Sequence, residues 1–231
     1  MCFEEITCPR CASLHIKKHG TTAQQKQRYR CKDCGRQFIT AYTYRADQPQ
    51  VRQLVVPMTM NGSGVRDISR VLRISTNTVL ALIREAAQAR TEPVAPKTLN
   101  DLEMDEFWSF VGKKKQPRWA WHAWDRQRHR VVAVVNGRRT DHSCQRLLQQ
   151  LRGCAVRRFH TDQWEAYVKL LPQSRHMGKD GTRHSERRNL HFRSHIKRWQ
   201  RRTICFSKSE AMHDAVIKLY VQHSNQPQHH I

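Results

Sequence analysis

Acids are scarce in this 231-residue sequence, 19 Asp and Glu against 42 Lys and Arg, so the place of each one is informative. Asp105 falls midway along an aromatic, strand-like run, LEMDEFWSFV (102–111), where a charge is disfavoured unless a site uses it. Asp162 follows a second strand-like run, RRFHT (157–161), and Glu186 opens a basic helical stretch. Singly, each has a bland role: Asp105 and its neighbour Glu106 as edge-strand charges, Asp162 as a turn residue, Glu186 as an acid at a helix N-terminus. Together they can hold two magnesium or manganese ions about 4 Å apart, because hard cations select oxygen ligands that leave room for phosphate and water. One ion would activate an attacking oxygen and the other stabilise the leaving oxygen. Arg193 lies two turns beyond Glu186 on nearly the same helix face, placed to hold a phosphate beside the metals.

A second constellation uses sulfur. Cys8, Cys11, Cys31 and Cys34 form two CxxC knuckles with 19 residues between them, the spacing of a zinc ribbon. Four thiolates close a tetrahedral shell and leave no position for substrate, so this zinc is structural. A redox CxxC is the rival reading, made poor by the paired ribbon spacing. Cys2, Cys144, Cys154 and Cys205 stand alone and read as small buried hydrophobes.

The elements around these sites must meet a polyanion. The formal charge of +23 and a pI near 10.5 point first to nucleic acid and second to an acidic membrane surface. No run of about 18 apolar residues and no apolar stretch behind a basic N-terminus is present, so the expectation is a soluble, cytoplasmic protein associated with the nucleoid and no membrane.

The length allows one to two domains with a sizeable core. Residues 1–45 read as the zinc ribbon, a segment too short to fold without its metal, with strands at 27–30 and 36–39 that alternate cations and aromatics. Residues 46–90 read as a helix-turn-helix domain. Asp47 is placed to cap a first helix that must bend or stop near Pro57. Val65, Ile68, Val71 and Leu72 keep helical spacing, Ile74 and Ser75 interrupt, and Val79, Leu82, Ile83 and Ala86 resume it. Residues 91–100, with two prolines, read as a linker, and 101–231 as the catalytic domain. There, three β-prone runs (102–111, 118–124, 130–135) precede a helix at 141–151, a strand at 157–161, a helix at 164–171, a long basic helix at 185–199 and a last helix at 210–221. That order suits a mixed sheet with helices on its faces, as in the ribonuclease H fold. The fold class is therefore α+β or α/β and multidomain. Trp119, Trp121 and Trp124 read as core residues.

Expected DNA contacts follow the cations. In the ribbon they are Arg28 and Arg30. In the helix-turn-helix they are Arg66, Ser75 as the N-cap, Thr76, Asn77, Thr78 and Arg84. Lys113, Lys114 and Lys115 form a patch at a strand end. From Arg183 to Arg202 a run including Arg187, Arg188, Lys197 and Arg198 carries one acid, Glu186, an excess that suits DNA crossing the acidic site.

At these residues the chain resembles a full-length transposase of the insertion-sequence-one family, nearly end to end. CPRC, QRYRCKDCGRQF and MNGSGVRDISRVLRISTNTV look like that family's zinc-finger and helix-turn-helix half. LEMDEFWSFVG, RWAWHAWD, FHTDQWEAY, SERRNLHFR and CFSKSEAMHD look like its catalytic half. The resemblance implies that Asp105, Asp162 and Glu186 are the family's DDE triad and that Arg193 is its basic residue one heptad on. Asn189 matches a recurring position whose role the residues alone do not give. Such halves are often joined by ribosomal frameshifting, whereas here they are continuous. Only 24 positions separate Asp162 from Glu186, which suits this family.

The expected activity is transposition. The N-terminal half binds terminal inverted repeats, and metal-dependent 3′-end cleavage and strand transfer into target DNA follow, with protomers paired as a dimer or higher oligomer. The alternatives are a zinc-containing transcriptional regulator without catalysis, which leaves the three carboxylates unexplained, and a junction-resolving nuclease that cleaves without joining.

Overall fold

A computed structural model describes residues 5–177 and 183–226, apart from the side chains at 183–186 and 188. The chain divides into two compact units, Met1–Arg52 and Gln53–Ile231.

In the first unit β1 (Ile16–Thr21), β2 (Gln27–Cys31) and β3 (Gln37–Ile39) form an antiparallel sheet in that order. Strands β2 and β3 follow the alternation: Tyr29 pairs with Phe38 and their rings stack at 5.9 Å, while Arg28 and Arg30 point to the exposed face. Strand β1, whose sequence IKKHGT shows no apolar alternation, was not expected. It forms because β2 supplies its ladder.

Helix α1 (Pro49–Met60) corrects one expectation and narrows another to its first alternative, a bend. Asp47 closes a preceding 3-10 turn (Arg45–Asp47) and does not cap the helix. Pro57 lies inside the helix, which runs on to Met60 with Asn61 N–H bonded to Pro57 O at 2.9 Å. Proline removes one helical bond, the one to the Gln53 carbonyl, and leaves the turns on either side intact.

In the second unit α2 (Val65–Leu72) and α3 (Thr76–Gln88) meet across a three-residue turn in which Arg73 is left-handed at φ 53°. Ser75 Oγ accepts from Thr78 N–H at 3.0 Å, as an N-cap should. Ile68, Leu72, Ile74, Val79, Leu82 and Ile83 are buried. Val71 departs from the expected core face and is 61% exposed. Helix α3 packs against the chain's last helix, α7 (Glu210–Asn225). Gly62, at φ +79°, must be glycine, since a Cβ there would stand 2.7 Å from the His195 carbonyl.

The main sheet has the order β6 (Arg130–Gly137), β5 (Pro117–Asp125), β4 (Thr98–Phe110), β7 (Ala155–His160). The β4–β7 pairing is parallel and the other two are antiparallel. Strand β4 is thus interior, which removes the edge-strand explanation for Asp105 and Glu106. It takes up Thr98–Asn100, residues placed in the linker by sequence. The rest of that segment is tied to α7: Lys218 Nζ lies 3.0 Å from Glu92, and the Gln222 amide donates to the Thr91 carbonyl.

Side chains alternate across β4. Leu102 and Met104 face α4 (Asp141–Gln150) and α5 (Glu165–Leu170), joining a core with Trp121, Cys144, Leu147 and Tyr167. On the other face Phe107 stacks on Phe192 of α6 (Arg183–His195) at 4.8 Å and meets Trp199 at 5.6 Å. Trp119 is only half buried, unlike Trp121 and Trp124. The edge of β6 away from β5 is closed by side-chain amides. Asn225 bonds Val131 N–H and carbonyl at 2.8 and 2.7 Å, and Gln150 does the same at Val134 at 3.0 and 3.1 Å. Both bar a second chain from adding a strand there.

The long basic helix ends at His195, four residues short of expectation, and Lys197–Trp199 form a separate 3-10 turn. Apolar anchoring causes the break: Ile196 and Trp199 turn into the core beside Phe192 and Tyr220. Among the described residues no helix is long and apolar enough to cross a membrane.

Candidate active site and nucleic-acid surfaces

Asp105 projects from β4 toward α6. Its Oδ2 accepts from Asn189 Nδ2 at 2.7 Å, and its Oδ1 accepts from the Glu106 N–H at 2.8 Å. Asn189 Oδ1 lies 3.0 Å from Nε2 of His122, the residue opposite Asp105 on β5. An amide oxygen only accepts, so His122 carries its proton on Nε2 here. The chain His122–Asn189–Asp105 clamps α6 to two strands, one helical turn beyond Glu186. That gives Asn189 the role its sequence position withheld.

Asp162 stands two residues past His160, which pairs with Glu103, so the parallel register brings it level with Asp105 at the end of β7. It is half exposed; Oδ1 accepts from Trp164 N–H at 3.1 Å and Oδ2 lies 3.6 Å from Arg139 Nη2. Glu186 belongs to α6, but its side chain, like that of Arg188, lies outside the described residues. Arg193 is half buried, and its Nε finds no hydrogen-bond partner among the described residues. Burial lowers its pKa, the Arg201 charge adds to this, and Asp105 opposes both. A buried guanidinium edge with nothing to bond, beside an aspartate, suits an anionic ligand. Asp105 lies within β4 and Asp162 just past the end of the neighbouring parallel strand β7, and carboxylates are the donor type a hard divalent cation selects.

Sequence reasoning missed Glu106. On the opposite face from Asp105, it is buried and accepts from Arg139 Nε at 2.6 Å and from Tyr167 Oη at 2.9 Å. Burial pushes its pKa up, against both hydrogen bonds, and the Asp162 charge adds to the rise. Adjacent acids on a strand necessarily face opposite ways, and this was the available signal.

In the first unit Cys8, Cys11, Cys31 and Cys34 place their Sγ atoms within 4.8 Å of one another. The Cys8–Cys34 and Cys11–Cys31 separations are 3.5 and 3.6 Å. Tetrahedral zinc with bonds of about 2.3 Å requires sulfurs about 3.8 Å apart, so the set fits. Burial opposes ionisation of Cys8, yet the backbone N–H groups of Arg10 and Cys11 help bring it down to about 6. Cys11, drawn down by the Ser13 backbone, is nevertheless pushed up to about 12, chiefly by Cys34. Thiols this crowded ionise together only around a cation.

The expected DNA contacts divide by exposure. Ser75, Thr76 and Asn77 are exposed at the α3 N-terminus, with Thr78 half buried, and Arg66 is exposed in the first turn of α2. Arg84 is exposed but lines a cleft of about 440 Å³ between α3 and α7, away from the α3 N-terminus. Lys113, Lys114 and Lys115 are exposed in the β4–β5 turn, and Arg187 and Lys197 are exposed. Arg198 corrects the expectation of a surface cation. It is 8% exposed and donates to buried Ser207 Oγ at 3.1 Å, because the 3-10 turn carries it inward with Trp199. Of the single cysteines Cys144 is buried and Cys154 and Cys205 are half buried, while Cys2 lies outside the described residues.

A four-cysteine ribbon, a helix-turn-helix and an acidic group on a mixed sheet define a DNA-acting protein of the transposase class. The IS1 transposase pattern matches residues 99–226, the InsA C-terminal helix-turn-helix domain matches 42–86, and the InsA N-terminal zinc-ribbon domain matches 1–35. The chain belongs to the IS1 transposase family. The iso-IS1n protein InsB of Shigella dysenteriae is 40% identical over 121 residues, 52% of this chain and 92% of its own. InsA of iso-IS1N from the same organism is 40% identical over 89 residues, 38% of this chain and 99% of its own. InsB of IS1 from Shigella flexneri is 42% identical over 120 residues, 52% and 92% of the two chains. The parts of this chain similar to InsA and to InsB, two separate proteins in Shigella dysenteriae, are continuous here.

Proposed function

We propose that this protein cuts the 3′ ends of its own insertion sequence and joins them to target DNA, with Asp105, Asp162 and Glu186 as the metal-holding triad of a ribonuclease H-like domain. The observation that carries the reading is the Asn189 bridge, which fixes the helix bearing Glu186 against β4, the interior strand that bears Asp105. The strand order, with β4 parallel to β7 and antiparallel to β5, is the topology that reading needs. Two magnesium or manganese ions, when bound, activate the attacking oxygen and stabilise the leaving one.

The chain's own residues do the rest. Asn189 and the Glu106 N–H hold the Asp105 carboxylate in one orientation, and the Trp164 N–H holds Asp162. Arg193 offers its unpaired Nε to a phosphate oxygen next to the scissile bond. Lys113, Lys114, Lys115, Arg187, Arg188 and Lys197 grip the backbone of duplex DNA without reading sequence. Thr76 and Asn77 at the α3 N-terminus read base edges in the terminal repeats, Arg66 and the ribbon's Arg28 and Arg30 add phosphate contacts, and zinc on Cys8, Cys11, Cys31 and Cys34 builds the ribbon surface. The working domains are the ribbon at 1–45, the helix-turn-helix at 46–90 and the catalytic part from 101. Two or more protomers pair the two ends, and the reaction takes place on the bacterial nucleoid in the cytoplasm.

The test is cleavage of DNA carrying the element's ends in magnesium, with Asp105→Asn, Asp162→Asn and Glu186→Gln. Each is expected to lose cleavage by at least 10²-fold with end binding retained. Full cleavage by a folded variant would remove that residue from the triad.

A further inference from the structure

Arg139 follows β6 and is held on three sides. Its guanidinium carbon lies 5.1 Å from the Trp119 ring centroid and 4.8 Å from that of Trp164. Its Nε donates to Glu106 Oε1 at 2.6 Å, and the other oxygen of Glu106 is fixed by Tyr167, a fully buried core residue. From this anchored position Nη2 faces Asp162 Oδ2 at 3.6 Å. The other oxygen of Asp162 is held by the Trp164 N–H at 3.1 Å, and Trp164 is also one wall of the aromatic slot. A half-exposed carboxylate at a strand end would otherwise sample several rotamers. The planar fork bridges two acids from one stacked position, which a lysine ammonium does not reproduce.

We propose that Arg139 is a positioning residue for Asp162, relaying the rigidity of the Tyr167–Glu106 pair in the core to the second carboxylate of the site. The inference deepens the reading of Asp162 as a metal-holding group and depends on it. The competing role is purely structural: Arg139 would serve only to neutralise buried Glu106.

The test uses the full-length, zinc-loaded protein without DNA and reads binding of Mn²⁺ from the loss of the free-ion paramagnetic resonance signal. Asp162→Asn is measured first, and weakened Mn²⁺ binding upholds the site. Wild-type binding with unimpaired cleavage in that variant would end the reading of Asp162, and the inference with it. With the site upheld, Arg139→Gln is expected to weaken Mn²⁺ binding about 10- to 100-fold, the usual effect of losing a partner of a metal ligand. Arg139→Lys, which keeps the charge and loses the fork, should resemble Arg139→Gln more than wild type. Binding as tight as wild type or tighter in Arg139→Gln would overturn the proposal. The double variant Glu106→Gln/Arg139→Met removes both buried charges, which protects folding, and is expected to remain weak. Recovery of wild-type Mn²⁺ binding there would show that Arg139 serves only to neutralise Glu106.

Discussion

Asn189 Nδ2 donates to Asp105 Oδ2 at 2.7 Å and so joins Asp105 to the helix that carries Glu186. His122 Nε2, 3.0 Å from the other end of the same amide, completes a bridge between β5, α6 and β4. Asn189→Ala should lower end cleavage about 10- to 100-fold while end binding holds, because the lost contact orients the carboxylate proposed to hold metal. Asn189→Asp should lower it further, since it sets a second carboxylate against Asp105. Cleavage and gel-shift assays on the same preparations check both, and undiminished cleavage in Asn189→Ala would leave the bridge without a catalytic role.

The ribbon should depend on a metal held by its four cysteines. Three short strands bury Cys8, Cys31 and Phe38 and little else that is apolar, far below what an independent fold of this size needs. A strong chelator, or Cys31→Ser, is expected to abolish the dispersed amide resonances of Ile16–Ile39. All six tryptophans lie beyond residue 100, so tryptophan fluorescence reports the second unit alone and should keep its melting temperature.

Most of the second unit was legible because its signals are periodic and strong. The aromatic and β-branched runs LEMDEFWSFV and RVVAVV, and the helical spacing of Cys144, Leu147, Leu148 and Leu151, mark elements found within a few residues of the expected bounds. What failed depends on distant partners. Strand β1 exists because β2 pairs with it, α6 stops because Ile196 and Trp199 are drawn into the core, and Arg198 is carried inward with them. Glu106 is a member of the Tyr167–Arg139 network only because α5 and the end of β6 meet beneath the sheet, 61 and 33 positions away in the chain. The placing of Asp105 on β4 and of Asp162 after the strand parallel to it was readable from the order of the elements. The Asn189 bridge was not, since it depends on the rotation of α6.

Acid should loosen α7. His213 is fully buried, with Nε2 2.6 Å from Ser109 Oγ and Nδ1 3.3 Å from Asp214, which also accepts from Arg118 at 2.8 and 2.5 Å. Burial pushes the His213 pKa down, Arg118 and Arg198 add to this, and Asp214 opposes it. Below about pH 6.5 the unfolded chain therefore holds more protons at this histidine than the folded one, and stability falls as pH falls. Asp214 is itself lowered, by His213 and Arg118 against burial, so its contribution is present above about pH 3.9 and is lost as pH falls through its lower folded value. Urea unfolding followed by tryptophan fluorescence should show a midpoint falling between pH 7 and 5.5, with a flatter dependence in His213→Gln. Equal slopes would assign the acid loss to other groups.

Binding to end DNA should separate reading from gripping. Asn77→Ala is expected to cost about 1–3 kcal/mol against the cognate end and little against unrelated duplex, as loss of a base-edge contact does. Arg66→Ala should weaken both alike and reduce the slope of log affinity against log salt by about one. Removing the Ser75 cap with Ser75→Ala should cost about 1 kcal/mol of stability, checked by thermal unfolding.

The central claim is tested most directly by sequencing the products formed when the purified protein meets magnesium, target DNA and a fragment carrying its element's ends. The account predicts junctions in which the 3′ ends of the element are joined to target strands, formed by wild type and absent with Asp105→Asn. Cleaved ends without any joined strands, or junctions formed equally well by Asp105→Asn, would contradict it.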